Sequence, residues 1–524
     1  MNDHQKKRTY PQPLLPMTNF MQRGHIAIQS NNIAEAADWY AKAVAEIPGD
    51  GQAKACLGQS LCWLGRRADG IDMLRMAGQH LLKKARKRKD AGEVAQLIQQ
   101  LQFWDDYAGS IDLARQAIAI NNKDTQCHYL LALGCSRLNQ TKIALASGRQ
   151  ALKLEPDNAA VHILLASLEA SEGQQDTARR RLEKTLQSSA TPEQQFRAHK
   201  ELAKILDKMG HYDQVFRHLQ AAAGLSTLIP EFNKLNAAFV PSMLKAFAND
   251  CTRDMFNRWP ATAFASERPA PIFLIGFLRS GTTLTQEVLG AHSEVFVADE
   301  PNLIAGLHEE LNRLSGRVGS TPQQLRTLDL AGAMHLRNYY WTKVRERYGD
   351  RFDRRVLLDK TTMNTINLGL INCIFPDARV VFVMRDPRDV CLSCFMQIMS
   401  PTPSTVHLNS WEGTARFYAL VTDWWMQVKQ HMTLDFIEFR YEDAVTRFEP
   451  VFREIFDFVG LPWEPAVAGF HHRSAKKFIS SPSFNQVAQP LYASSVGRWR
   501  HYAGEFESVT ETLQPYVSAF GYDP

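Results

Sequence analysis

Nowhere in the 524 residues does a run of about eighteen apolar residues occur, which excludes a hydropathic membrane span. The opening segment, MNDHQKKRTYPQPLLP, lacks the apolar core of a secretory signal and is broken by proline. Both absences predict a soluble, cytoplasmic protein without a membrane partner. Cysteine is sparse: eight residues are scattered along the chain, unlike the dense framework of a small secreted domain. Cys391 and Cys394 form one CxxC, but no second pair stands at zinc spacing, so the two are expected to be buried helix positions and no metal is expected. A strong charge of either sign is also missing. Lys and Arg number 60 against 55 Asp and Glu, a net charge of +5 that suits an anionic small molecule as well as a nucleic acid. The basic run KKARKRKD, from Lys83 to Asp90, carries no interleaved aromatic residue and predicts a solvated helix face, with no nucleic-acid partner.

What is present is a folded chain, 45% hydrophobic and 22% charged, long enough for two domains or more. Its first half repeats. AIAINNKD from Ala117 aligns with ALKLEPDN from Ala151 at a spacing of 34 residues, and Thr185 falls 34 further on. Small residues recur where paired helices must approach closely: Gly24, Ala36 and Ala43; Ala132, Ala144 and Ala151; Ala166, Ala178 and Thr185. Pro48 and Pro156 stop second helices that cannot continue through them. This is the tetratricopeptide period, and it predicts five or six helical hairpins over residues 17–225, after a polar tail at 1–16. Such arrays take a peptide or protein partner on a concave surface, or simply support a neighbouring domain.

After a helical linker at 226–267 the period changes. Short apolar runs, IFLI (Ile272 to Ile275), VLL (Val356 to Leu358), VVFVM (Val380 to Met384) and FIEF (Phe436 to Phe439), alternate with amphipathic segments. Continuous apolar strands belong to a parallel sheet covered on both faces. The fold class is therefore α + α/β: an all-α tetratricopeptide superhelix followed, over 268–524, by a P-loop-type α/β domain with a mostly parallel sheet.

The first strand runs into GFLRSGTTL, where Gly276 and Gly281 permit a tight turn and the following helix begins at Thr282 and Thr283. Amide hydrogens and a helix N-terminus make an anion site. A Walker loop would place lysine where Thr282 stands, which counts against an ATPase or GTPase. From Arg279 a helix of about nine residues, roughly 13 Å, leads out, and EVFVA, about 16 Å of strand, leads back. Glu300 is thus expected beside the loop, as a base or as the partner of an arginine. The strand RVVFVMRD ends in Arg385, and Ser393 follows at the next helix, a guanidinium and a hydroxyl for a second anion site. Arg388 is expected in a surface pair with Asp386.

These residues resemble the sulfotransferase family, and within it the tyrosylprotein sulfotransferases and bacterial proteins that join tetratricopeptide repeats to this domain; the likeness covers about residues 268–505. The resemblance implies that the donor is 3'-phosphoadenosine 5'-phosphosulfate. Arg279, Ser280, Gly281, Thr282 and Thr283 would hold its 5'-phosphosulfate, and Arg385 with Ser393 its 3'-phosphate. It further implies that Glu300, 21 residues after Arg279, is the general base, that Lys360 of LLDKTTMN meets the transferring sulfuryl group, and that Ser483 assists the leaving oxygen. Arg498 would stand in for a basic residue of the nucleotide-covering segment, and Tyr441 of FRYED would lie near the adenosine. Two positions depart from the pattern: Gln397 replaces a nucleotide-binding arginine, and Asn302 replaces an arginine near an acceptor peptide. His292 is the competing base, by likeness to the small-molecule enzymes, while His471 and His472 are expected at the surface. The implied reaction is sulfuryl transfer to an acceptor hydroxyl, on protein tyrosine or a small molecule. The alternatives are a P-loop NTPase or kinase, and a catalytically degenerate repeat scaffold.

Overall fold

The computed structural model describes residues 19–264, 268–299, 303–471 and 495–523. It divides into two compact units, residues 1–205 and 206–524. Twelve helices form the hairpins: α1 (Asn19–Gln29), α2 (Ile33–Glu46), α3 (Gly51–Trp63), α4 (Arg67–Arg88), α5 (Gly92–Phe103), α6 (Tyr107–Ile120), α7 (Thr125–Arg137), α8 (Thr141–Leu154), α9 (Ala159–Ser171), α10 (Gln175–Leu186), α11 (Pro192–Lys208) and α12 (Tyr212–Ser226). The first unit is an all-α array of tetratricopeptide type.

Its repeat is written in the turns as well as in the helices. Asn31, Gly65, Asp105, Asn139, Gly173 and Gly210, one in each hairpin turn, all have positive φ. The first pair and the Asp105, Asn139 and Gly173 series are spaced 34 apart, and the interval from Gly65 to Asp105 is 40 because α4 runs to 22 residues. Asp124 and Asn158, also 34 apart, cap α7 and α9 by accepting the Cys127 and Val161 amides. The small residues sit where helices touch: Ala36, Ala132, Ala144, Ala151, Ala166 and Ala178 are fully buried. A Cβ at Gly24 would enter the ring of Tyr40. The run Lys83 to Asp90 is exposed apart from Lys84 and Ala85, and Lys84 pairs with Glu93 at 2.6 Å.

The second unit is built on five parallel strands, β1 (Ile272–Gly276), β2 (Val295–Asp299), β3 (Val356–Lys360), β4 (Arg379–Met384) and β5 (Asp435–Arg440), in the order β2-β3-β1-β4-β5. Alternation sends Ile272 and Leu274 to one face, packed with Val288, Phe452 and Phe456, and Phe273 to the other, against Tyr340 and Phe375. Phe382 stacks on Trp425 at 3.9 Å on that second face. Residues before β1 join this core. Phe216 of α12 packs edge-on to Trp411 at 5.2 Å and near Tyr502, and Phe247 of the helix Phe239–Asp250 lies against Trp424 with its ring over Gly369.

Candidate functional site

β1 and β4 are neighbours whose onward connections run to opposite sides of the sheet, so their carboxyl ends open a crevice of the kind in which α/β proteins bind ligands. The loop from Phe277 to Gly281 leaves β1 there and turns through two left-handed residues, Arg279 at φ 67° and Gly281 at φ 111°. Gly281 caps the helix Thr282–Leu289, and a Cβ on it would stand 2.5 Å from the Tyr441 ring. The close approach and the backbone conformation both demand glycine. The Thr282 hydroxyl is turned to Thr362 Oγ1 at 2.8 Å, tying the helix start to the segment after β3.

The two expected anion sites converge. Arg279 Nε donates to Ser393 Oγ at 3.1 Å, and Arg385, from the end of β4, donates to the Arg279 carbonyl at 3.0 Å. The Arg385 guanidinium lies 4.9 Å from the centre of the Tyr441 ring and gives a second bond, 2.6 Å, to the Ser495 carbonyl. Among the described residues, Ser280 Oγ and Arg385 Nε are buried with no hydrogen-bond partner. A buried donor without an acceptor is unfavourable by about 1–3 kcal/mol, so its presence here fits a site completed by a bound anion.

Lys360 ends β3 fully buried, and its ammonium reaches Asp299 Oδ1, at the end of β2, at 3.4 Å. Its neighbour Asp359 points to the opposite face, where it accepts the Tyr340 hydroxyl at 2.8 Å and the Thr361 hydroxyl at 3.1 Å. Burial raises its carboxyl to about 6, with those two donors opposing the rise. The returning strand β2 does not lie beside β1: β3 is inserted between them, so the end of β2 stands two strand spacings, about 10 Å, from the loop. Glu300, Asn302, His472 and Ser483 lie outside the described residues.

Other expected residues stand elsewhere. His292 is buried at the amino end of β2, across the sheet from the loop; its Nε2 donates to the Pro462 carbonyl at 2.9 Å and its Nδ1 accepts the Glu294 amide at 3.1 Å. Both nitrogens are spoken for in a structural turn. His471 packs edge-on to Phe470 at 5.7 Å. Arg498 is paired with Asp207 at 2.6 Å and reaches Met396 Sδ at 3.1 Å. The Asp386–Arg388 pair forms, at 2.9 Å, but it is buried, not at the surface. Trp499 covers the Arg388 guanidinium at 3.8 Å and the Asp523 carbonyl accepts from it, both brought from more than a hundred residues away. Gln397 ends the helix Pro387–Met396 and donates to the Ile398 carbonyl at 3.4 Å. Cys391 and Cys394 are buried thiols on that helix, Cys394 donating to the Leu278 carbonyl at 3.3 Å. Sequence reasoning missed Asp389 and Ser495 altogether.

A loop of two left-handed residues opens a helix, and an arginine from the end of β4 and a serine from the helix after it close on that loop, the geometry of an anion site without the Walker lysine. Residues 271–465 match the sulfotransferase family. That match falls within the second unit and takes in all five strands of its sheet. A protein-tyrosine sulfotransferase of Drosophila melanogaster is 25% identical over 283 residues, 50% of this chain and 53% of that protein. An uncharacterised protein of Aquifex aeolicus is 28% identical over 342 residues, covering 64% of this chain and 43% of its own length. The chain thus spans about half the length of these relatives. The solved sulfotransferase domain of the Synechococcus PCC 7002 olefin synthase superposes with a TM-score of 0.35 at 18% identity, over 49% of this chain and 97% of that one. Among the described residues no helix is long and apolar enough to cross a membrane.

Proposed function

We propose that the sulfotransferase domain transfers a sulfuryl group from 3'-phosphoadenosine 5'-phosphosulfate to an acceptor hydroxyl. The observation that carries this reading is the convergence of Arg279, Ser393 and Arg385 on one crevice, with Ser280 Oγ and Arg385 Nε left buried and unpartnered among the described residues. When bound, the donor would supply a sulfuryl group for in-line transfer, a reaction governed by positioning and cationic stabilisation. Arg279, Ser280 and the amides from Gly281 to Thr283 would hold its 5' end, Arg385 and Ser393 its 3'-phosphate, and Tyr441, packed on Arg385, its adenosine. Lys360 would face the transferring group, Ser483 the leaving oxygen, and Glu300 would take the proton from the acceptor hydroxyl.

Thr282 supports this reading over an NTPase, because the Walker lysine position carries a hydroxyl already bonded to Thr362. The acceptor is a hydroxyl of a protein tyrosine or a small molecule, and the helical array recruits a protein partner or the acceptor itself. We assign the protein to the cytoplasm, a reducing compartment in which its eight buried thiols are stable. The test is thermal. 3',5'-Diphosphoadenosine should raise the melting temperature far more than ATP with magnesium, and an equal or larger shift with ATP defeats the assignment. Incubation of a lysate with donor and enzyme should then add one SO3 mass to specific acceptors.

A further inference from the structure

The residues that precede the helix end at Tyr502 run back over the second anion site and are gripped from two sides. From beneath, Asp389 accepts the Gly497 amide at 2.6 Å and the Trp499 amide at 2.9 Å. Its carboxylate is only 2% exposed and lies 4.0 Å from the Arg385 guanidinium. From above, Asp207 at the end of α11 holds Arg498 at 2.6 Å and accepts the Tyr502 hydroxyl at 2.5 Å, while Tyr212 stacks on His501 at 4.1 Å. Just ahead of both grips in the chain, Ser495 touches both residues assigned to the nucleotide: its carbonyl takes the Arg385 bond at 2.6 Å, and its hydroxyl meets the Tyr441 hydroxyl at 3.1 Å. Gly497, at φ 69°, supplies the turn that allows two amides of this segment, two residues apart, to face one carboxylate.

We infer that residues 495–499 are a strap that sets Arg385 and Tyr441 for the nucleotide, and that Asp389 is the positioning residue that holds the strap down. A buried carboxylate that receives two backbone amides fixes a turn more tightly than side-chain packing does, because each bond is charge-assisted and short. Releasing the turn frees the Ser495 carbonyl, and Arg385 then loses the acceptor that aims its remaining donors. Asp389 touches no substrate; it acts through the strap and through its own 4.0 Å approach to Arg385.

The inference rests on the proposed nucleotide site, so wild-type protein is titrated first with 3',5'-diphosphoadenosine by calorimetry. Absence of binding would sink the functional reading itself. With binding in hand, Asp389→Asn replaces one acceptor with a donor and should weaken the affinity roughly tenfold, the size of one lost charge-assisted bond. Ser495→Ala, a partly exposed position that leaves the core untouched, should weaken it about threefold by releasing Tyr441. The decisive measurement is the double variant. If the strap acts as one element, the pair loses no more than Asp389→Asn alone; fully multiplied losses would show that Asp389 works independently of the strap and overturn the inference. Wild-type affinity in both single variants would overturn it too. Should Asp389→Asn not fold, Ser495→Ala paired with Tyr441→Phe serves instead: the Ser495 effect should vanish once the Tyr441 hydroxyl is gone, and an undiminished effect would overturn the inference.

Discussion

Replacing His292 by Ala separates the two candidate bases through stability. The ring sits in a turn at the amino end of β2 and satisfies two backbone groups, the Pro462 carbonyl and the Glu294 amide, while its face lies 5.3 Å from Phe456. Removing it orphans one acceptor and one donor, each unfavourable by about 1–3 kcal/mol when buried. Water entering beside the exposed Ser293 relieves part of this, so a loss of about 2–4 kcal/mol is expected. At about 2 °C per kcal/mol for a large domain, the melting temperature should fall by about 4–8 °C. Nothing in that turn reaches the crevice at the ends of β1 and β4, so affinity for 3',5'-diphosphoadenosine and sulfuryl transfer below the transition should stay near wild type. Scanning fluorimetry with and without nucleotide, followed by transfer measured as SO3 mass gain at a temperature where both proteins are folded, gives the two readouts. A variant that melts like wild type yet fails to turn over would refute the reasoning and make His292 the base.

Arg385→Ala should weaken 3',5'-diphosphoadenosine by about 1.5–3 kcal/mol, roughly ten- to hundredfold by calorimetry, and should also lower the unliganded melting temperature, because it orphans the Arg279 and Ser495 carbonyls. Glu300→Gln should keep nucleotide affinity and lower turnover by about 10² to 10⁴, read in steady-state transfer assays. Asp359 binds its proton more tightly in the fold, where its carboxyl titrates at about 6, than in the unfolded chain near 3.8. Its contribution to stability is therefore full below the unfolded value and is lost as the pH rises through about 6. The stability difference between wild type and Asp359→Asn, measured by urea unfolding, should accordingly fall by up to about 3 kcal/mol between about pH 4 and pH 6. A chain beginning at Leu206 should fold and bind nucleotide, whereas one beginning at Asn257 loses Phe216, Phe247 and Asp207 and should give a broad, depressed melting transition.

The strands were legible because burial on both faces leaves continuous apolar runs, and three of them end at the candidate site, at the loop after Ile275, at Lys360 and at Arg385. The array was legible from its small residues, since contact between helices tolerates little else at Ala36, Ala144 or Ala178. A second signal was available in the sequence: Asn, Asp or Gly recurs at the turn positions 31, 65, 105, 139, 173 and 210, the types that accept a left-handed backbone. Strand order was not legible. The insertion of β3 between β1 and β2 is decided by which apolar faces pair, not by the length of the intervening helix, so an out-and-back path says nothing about the neighbour on return. The Asp386–Arg388 pair read as exposed because its cover, Trp499 and the Asp523 carbonyl, arrives from the far end of the chain. Asp389 escaped for the same reason: its two donors lie more than a hundred residues downstream.

Arg279 occupies a backbone conformation at φ 67° that an unbranched L-residue adopts at a penalty of about 1–2 kcal/mol and that glycine adopts freely. A laboratory selection for heat resistance alone would therefore find glycine attractive at this position and would discard the guanidinium that bridges to Ser393. Arginine there exchanges that much stability for the bridge to Ser393. Libraries intended to make a hardier enzyme should hold this codon fixed and look for their gains in the array or along the outer helices.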